Sequence, residues 1–251
     1  MKNLFGSMVD IAIDRLKAFE PSEGYWVGFS GGKDSMVVRK LCQIGGIKCS
    51  YHYSMTTIDP PDLIYYMRKY HTDIIWERPV KPPFFIEMVK RGYPTRQGRW
   101  CCADYKERGG EGRIIVTGVR WAESSKRAGR KMVSFYKGKK ILSPIIDWED
   151  NDVWDFIKNY KMPYCKLYDE GWDRIGCIGC PLAKQSNRER EFERYPAFDR
   201  AYRRAFIRLY DRKKKLGHES IQKFKDGNHM YDLWRSGETV KKQDGCDGLF
   251  T

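Results

Sequence analysis

Long apolar runs are missing from this chain. No stretch approaches the roughly 18 residues that a membrane-crossing helix needs, so neither a span nor a membrane partner is expected. The N-terminal stretch Met1-Lys2-Asn3-Leu4-Phe5-Gly6 lacks the extended apolar segment and small-residue cleavage site of a secretory signal. Met8, Val9, Ala12, Ile13 and Leu16 instead recur at helical spacing, predicting an amphipathic helix. Internal repeats and low-complexity tracts are absent, as is the GxxxxGK[ST] pattern of a Walker A loop. A cytoplasmic location is the simplest expectation. Disulfides are rare there, so the eight cysteines point to metal or redox chemistry. Acidic residues are also few: 33 Asp and Glu face 47 Lys and Arg, a formal charge of +14. Part of that surplus suits a polyanionic nucleotide. The remainder makes a nucleic-acid partner an alternative to a merely solvated basic surface.

What the chain does contain is Ser30-Gly31-Gly32-Lys33-Asp34-Ser35, directly after the apolar run Tyr25-Trp26-Val27-Gly28-Phe29. A strand that runs into paired glycines and then a helix builds an anion cradle. The glycines let successive N–H groups turn inward, and the helix dipole favours a phosphate-like oxyanion. Lys33 adds a full charge.

Further strands are predicted at residues 48–53, 73–76, 113–118 and 140–146, with helices at 62–70, 84–90 and 150–160. Alternating strands and helices predict an α/β fold: an open, mainly parallel sheet of about five strands with helices on both faces. Ligands of such sheets sit beyond the carboxyl ends of the strands. The glycine loop, Thr57-Ile58-Asp59 and Gly118-Val119-Arg120 all follow strands and are expected to converge there. From Lys184 the composition changes: residues 184–226 carry 14 basic against 7 acidic side chains, a surplus of +7. This predicts a first domain over residues 1–183 and a basic, mainly helical appendage over 184–251. The appendage either packs on the sheet with a solvated face or contacts DNA or RNA.

Four cysteines fall into pairs, Cys101-Cys102 and Cys177-Ile178-Gly179-Cys180. Adjacent cysteines are awkward as two ligands of one zinc ion, whereas each can take a different iron of a cluster. The CxxC spacing serves zinc or iron–sulfur alike, and reduced structural thiols remain a further reading. Cys42, Cys49 and Cys165 read as core thiols.

The Ser30–Ser35 loop matches the pyrophosphate-binding PP-loop of the adenine nucleotide α-hydrolase-like superfamily. Within it, residues 24–183 resemble the phosphoadenylyl-sulfate (PAPS) reductase family. The resemblance implies a bound adenine nucleotide, with Ser30, Gly31, Gly32, Lys33, Asp34 and Ser35 holding its pyrophosphate or phosphosulfate. Thr57 and Asp59 occupy the place of a second nucleotide-contacting motif. Gly118, Arg120 and Arg127 fall in what looks like the family's phosphate loop, with Arg120 gripping the anion. Cys101, Cys102, Cys177 and Cys180 resemble the [4Fe–4S] ligands of the iron–sulfur branch, and Lys106 falls where that branch places a lysine. A comparable cysteine set occurs in the related DNA phosphorothioation enzyme. Arg99, Lys106, Arg174 and Lys184 are the cations expected to offset the cluster's charge.

The departure is in the tail. The reductases carry a nucleophilic cysteine in a Glu-Cys-Gly-Leu-His motif, whereas this chain ends Asp244-Gly245-Cys246-Asp247-Gly248-Leu249-Phe250-Thr251. Two mechanisms follow. In the first, Cys246 attacks the sulfur of an adenylyl sulfate (APS or PAPS), and a thioredoxin-type reductant completes release of sulfite. In the second, the loop holds Mg-ATP, AMP is placed on a nucleic acid bound by the basic segment, and a sulfur donor displaces it.

Overall fold

Tyr25–Gly28 forms the first strand, β1, of a six-stranded sheet in the computed structural model, which describes residues 4–238. The order is β3-β2-β1-β4-β6-β5, with β2 Cys49–Ser54, β3 Ile75–Glu77, β4 Ile115–Val116, β5 Val133–Tyr136 and β6 Lys139–Leu142. All neighbours are parallel except β5 and β6. Val27 stands level with Tyr51 on one side and Val116 on the other. These residues are buried, which is why β1 and β4 read as short apolar runs instead of alternating. The chain runs β1 to β2 to β3 in one direction and then crosses to β4 on the other side of β1. The β1/β4 boundary is therefore the switch in strand order beyond which α/β sheets take their ligands.

The helices are α1 Leu4–Ala18, α2 Lys33–Gly45, α3 Pro61–Tyr70, α4 Phe84–Arg91, α5 Ser125–Ala128, α6 Asp150–Asn159, α7 Gln185–Arg194, α8 Pro196–Lys215 and α9 Gly227–Ser236. Pro61 opens α3 where its missing N–H costs nothing. In α6 the Glu149 N–H donates to the Asp152 carboxylate at 2.7 Å, which closes a capping box. No helix among the described residues is long and apolar enough to cross a membrane.

The expected α/β sheet is present, with one strand more than expected. Lys137 and Gly138 both take positive φ (49° and 76°), so the chain doubles back tightly and lays β5 antiparallel on β6. Lys-Gly is a weak hairpin signal beside Asn-Gly, and the strand passed unnoticed in the sequence.

The fold divides into two compact units. The first holds the residues up to Met55, Asp59–Val80 and Ala103–Gly176. The second holds Thr56–Ile58, Lys81–Cys102 and the described residues from Cys177 on. The first unit contains the sheet and a core of Leu16, Val27, Met36, Leu41, Met67, Val116, Trp148 and Phe156. The second is helical and aromatic. Tyr202 of α8 is enclosed by Phe84 and Phe85 of α4, Phe192 of α7 and Trp234 of α9, with ring centroids 5.0–5.7 Å away. This corrects the boundary drawn from composition at residue 184. The C-terminal segment is helical, but the packing of α4 on α8 brings 81–102 into the same unit. All four paired cysteines belong to that second unit and not to the sheet domain.

Candidate functional site

Between β1 and α2 the chain turns through Ser30, Gly31 and Gly32. Gly31 has φ +72°, and a Cβ there would sit 2.7 Å from Met67 Sδ and 2.8 Å from Leu63 Cδ1. Only glycine satisfies both the backbone and the space. Ser35, in the first turn of α2, ties the loop from inside. Its hydroxyl accepts from the Ser30 N–H and the Ser30 hydroxyl, both at 3.2 Å, and donates to the Gly32 carbonyl at 2.8 Å. The Lys33 N–H donates to the Tyr168 hydroxyl at 3.0 Å. Burial pushes the Tyr168 phenol well up, so it stays neutral there. The Tyr168 oxygen marks an acceptor position at the mouth of α2, where the N–H groups and helix dipole favour negative charge.

Lys33 does not present a free charge. Its ammonium is largely buried and lies 3.3 Å from Asp34 and 3.1 Å from Asp150. Arg120 closes this network from the far end of β4. The side chain is 1% exposed. Its Nε donates to Asp34 at 2.7 Å, one terminal nitrogen to Asp150 at 2.6 Å and the other to the Trp148 carbonyl at 2.9 Å. Two cations thus balance two carboxylates. Burial alone raises the Asp150 pKa, but Arg120 and Lys33 pull it below the usual carboxylate range. The expectation that Arg120 grips the anion directly meets a guanidinium committed on every side. In this geometry it braces Asp34 and, through Asp34 and Asp150, Lys33. Attraction for an anion in the loop then comes chiefly from backbone dipoles.

Gly118 follows β4, and a Cβ there would lie 2.8 Å from the Asp34 carbonyl group. Its bareness lets the end of β4 approach the first turn of α2. Arg127 pairs with Glu123, whose other oxygen accepts from the Arg120 N–H at 2.9 Å. Arg127 therefore supports the loop after β4. Asp59 belongs to the first unit and precedes α3, half-buried. Thr57 belongs to the second unit. Its φ is +66°, unusual for a β-branched residue, and its hydroxyl accepts from the Phe84 N–H at 2.9 Å at the start of α4. The structure thus brings the glycine loop, Gly118 and Arg120 together, while Thr57, of the third segment expected there, belongs to the second unit. Tyr168 and Asp150 were missed, because each sits in a segment that reads as structural.

In the second unit Cys101, Cys102, Cys177 and Cys180 lie within electrostatic reach of one another. The Cys101 thiol is pushed up by its hydrogen bond with Cys102, by burial, and by Cys177 and Cys180. Gly179 has φ +69°, and a Cβ there would meet the Tyr202 ring at 2.8 Å. The Gly179 N–H donates to Glu191 at 2.7 Å, and the Tyr202 hydroxyl donates to the Ile178 carbonyl at 2.8 Å. These contacts fix the 177–180 turn. Cys177 Sγ reaches the Thr56 hydroxyl at 3.5 Å. Arg96, not among the cations picked from the sequence, donates to the carbonyls of Pro181 at 3.1 Å and Ala183 at 3.4 Å. No three His, Cys, Asp or Glu side chains among the described residues form a group able to hold a single metal ion. The four thiols sit on two segments of the second unit, 101–102 and 177–180, the latter turn packed on the Tyr202 ring. Cys42 and Cys165 are buried core thiols, and Cys49 is half-buried against the same core. Cys246 lies outside the described residues.

Residues 24–183 match the phosphoadenosine phosphosulfate reductase domain, the segment over which the resemblance was drawn. The chain belongs to this family. An uncharacterised protein of Methanocaldococcus jannaschii is 31% identical over 230 residues, which covers 83% of this chain and 45% of that protein. The phosphoadenosine 5'-phosphosulfate reductase of Xylella fastidiosa is 32% identical over 84 residues, or 34% of this chain and 35% of that enzyme. The adenosine 5'-phosphosulfate reductase of Staphylococcus haemolyticus is 32% identical over 88 residues, or 34% and 36%. The chain thus spans less than half the length of these curated relatives. The crystal structure of PAPS reductase from Candida auris, a phosphate complex, superposes with a TM-score of 0.52 over 69% of this chain and 92% of that one, at 16% identity. That likeness shows the shared fold of this family member.

Proposed function

We propose that this family member is a sulfonucleotide reductase-like enzyme that takes an adenylyl sulfate, APS or PAPS, and releases sulfite. One observation carries the reading: a glycine-dependent N–H cradle stands at the sheet's switch point, within the very residues that match the family. In this reading Ser30–Ser35 hold the phosphosulfate, Lys33 and Asp34 are kept in place by Arg120 and Asp150, and Asp59 contacts the nucleoside. The Cys246 thiolate attacks the sulfur. The S–O bond to phosphate breaks, the adenosine phosphate leaves with the electron pair, and an enzyme S-sulfocysteine forms. A thioredoxin-type dithiol then attacks the Cys246 sulfur, is oxidised to a disulfide, and sulfite leaves. Cys101, Cys102, Cys177 and Cys180 would hold a [4Fe–4S] cluster, which when bound supplies a polarisable charged centre.

The exposed arginines of α8 favour a second reading, in which the loop holds Mg-ATP and the enzyme adenylates a nucleic acid for sulfur transfer. An anaerobic assay separates the two by comparing sulfite release from APS and PAPS with pyrophosphate release from ATP. Sulfite release abolished by Cys246→Ser is the expected result. Pyrophosphate release that requires added tRNA or DNA and ignores that substitution would overturn it.

A further inference from the structure

We propose that the arginine ridge of α8, together with the groove between α8 and α4, is a docking surface for a single strand of nucleic acid. Arg200, Arg204, Arg208 and Arg212 recur every fourth residue and all are exposed. At 1.5 Å rise per residue they stand roughly 6 Å apart along the helix. Among the described residues none of the four enters an ion pair. Other arginines of the unit do: Arg203 of α8 pairs with Asp232, and Arg235 of α9 with Asp199. Like charges at i,i+4 weaken a helix on its own. The ridge therefore calls for an anionic partner from outside, and arginine in place of lysine suits phosphate.

The groove beside the ridge has a volume of about 370 Å³. Its floor is apolar, formed by Phe85, Ile86 and Val89 of α4 and Ala205 of α8, and its rim carries Lys90, Arg204, Arg208 and Arg212. Ile86 is 50% exposed. Apolar floor and cationic rim together suit a strand whose bases are unstacked and whose phosphates track the arginines. A duplex hides its bases from such a floor. The surface lies within the second unit, and its argument is independent of which reaction the glycine loop serves.

The test is fluorescence anisotropy of the full chain with labelled oligo(dT) and oligo(U) over a range of salt. Four phosphate contacts predict a log K against log[salt] slope of about −3. The Arg204→Glu/Arg208→Glu variant is expected to bind at least tenfold more weakly, with the slope reduced by about 1.4. Arg204→Lys/Arg208→Lys is expected to keep the slope. Should the glutamate variant unfold by circular dichroism, Lys90→Glu/Arg212→Glu on the same rim takes its place. Unchanged binding by a folded variant, binding to duplex or poly-glutamate as tight as to single strands, or no binding at low salt would each overturn the proposal. Sulfite release is read separately, so loss of either activity leaves the other test intact.

Discussion

Replacing Arg120 by methionine separates a brace from a ligand-gripping arginine. The wild-type guanidinium makes a bond to Asp34, whose side chain is 22% exposed, a bond to Asp150, which is 66% exposed, and one to the Trp148 carbonyl. Hydrogen bonds to charged groups contribute about 1.5–3 kcal/mol when buried, so loss at Asp34 accounts for about 2 kcal/mol. The Asp150 contact is largely solvent-screened and adds about 0.5 kcal/mol, and the stranded Trp148 carbonyl adds about 1 kcal/mol. The expected destabilisation is therefore about 3.5 kcal/mol, a fall in melting temperature of about 7–14 °C for a chain of this size. Asp150 adds a pH signature. Its folded pKa is depressed, so its contribution is present above the unfolded value near 4 and is lost as pH falls through the folded pKa. Without Arg120 that depression shrinks, and the acid limb of the stability profile flattens. Urea melts from pH 7 to pH 3 read both effects. A variant that loses less than 1 kcal/mol yet no longer binds nucleotide would refute the bracing role.

Gly31→Ala is expected to cost about 2 kcal/mol in denaturant melts, from its left-handed φ and the crowding of Met67 and Leu63. Gly32→Ala, at φ −80° with no contact under 3.4 Å, is expected to cost little, so equal losses at both sites would contradict the geometry. His71 is held neutral: burial lowers its pKa to about 4, helped by Arg39 and opposed by Asp73. A histidine that binds fewer protons folded than unfolded contributes stability above pH 6.5 that drains away as pH falls toward 4, by about 3 kcal/mol in all. His71→Gln should flatten that interval, and an unchanged slope would show that another group supplies it.

The parallel sheet was legible because strands and helices alternate and the strands are short runs punctuated by glycine, proline and aspartate, whereas the strand order, with its switch at β1/β4, came only from the structure. The anion cradle was legible for the same reason: Ser-Gly-Gly-Lys-Asp-Ser has few uses other than a strand-to-helix turn. What the sequence hid was partnership. Arg120 reads as a free cation until Asp34, Asp150 and Trp148 are seen around it, and those residues are 28–86 positions away along the chain. The division into units was hidden likewise. Charge changes at residue 184, but packing is set by apolar rings, and Phe84 and Phe85 reach Tyr202 across more than a hundred residues. Composition reports surface. Unit boundaries follow core.

The cysteines turn that lesson into a prediction. Cys101 and Cys102 close one stretch of the second unit, and Cys177 and Cys180 open the next, so a cluster on all four would tie together two ends of a loop of about 75 residues. Closing such a loop in an unfolded chain costs about 4 kcal/mol by loop entropy, which pinned ends no longer have to supply. Metal binding of this kind is folding free energy for the segments that carry the ligands. Anaerobic protein and its chelated, cluster-free form are therefore expected to differ by up to about 4 kcal/mol in global unfolding. Hydrogen exchange should locate the loss. Amides of α4 and α8 are expected to lose protection on chelation, while those of β1 and β2, in the unit built on the sheet, keep most of theirs. Equal protection of α8 in both forms would mean that the aromatic packing around Tyr202 holds the second unit together unaided and that the four thiols are not bridged.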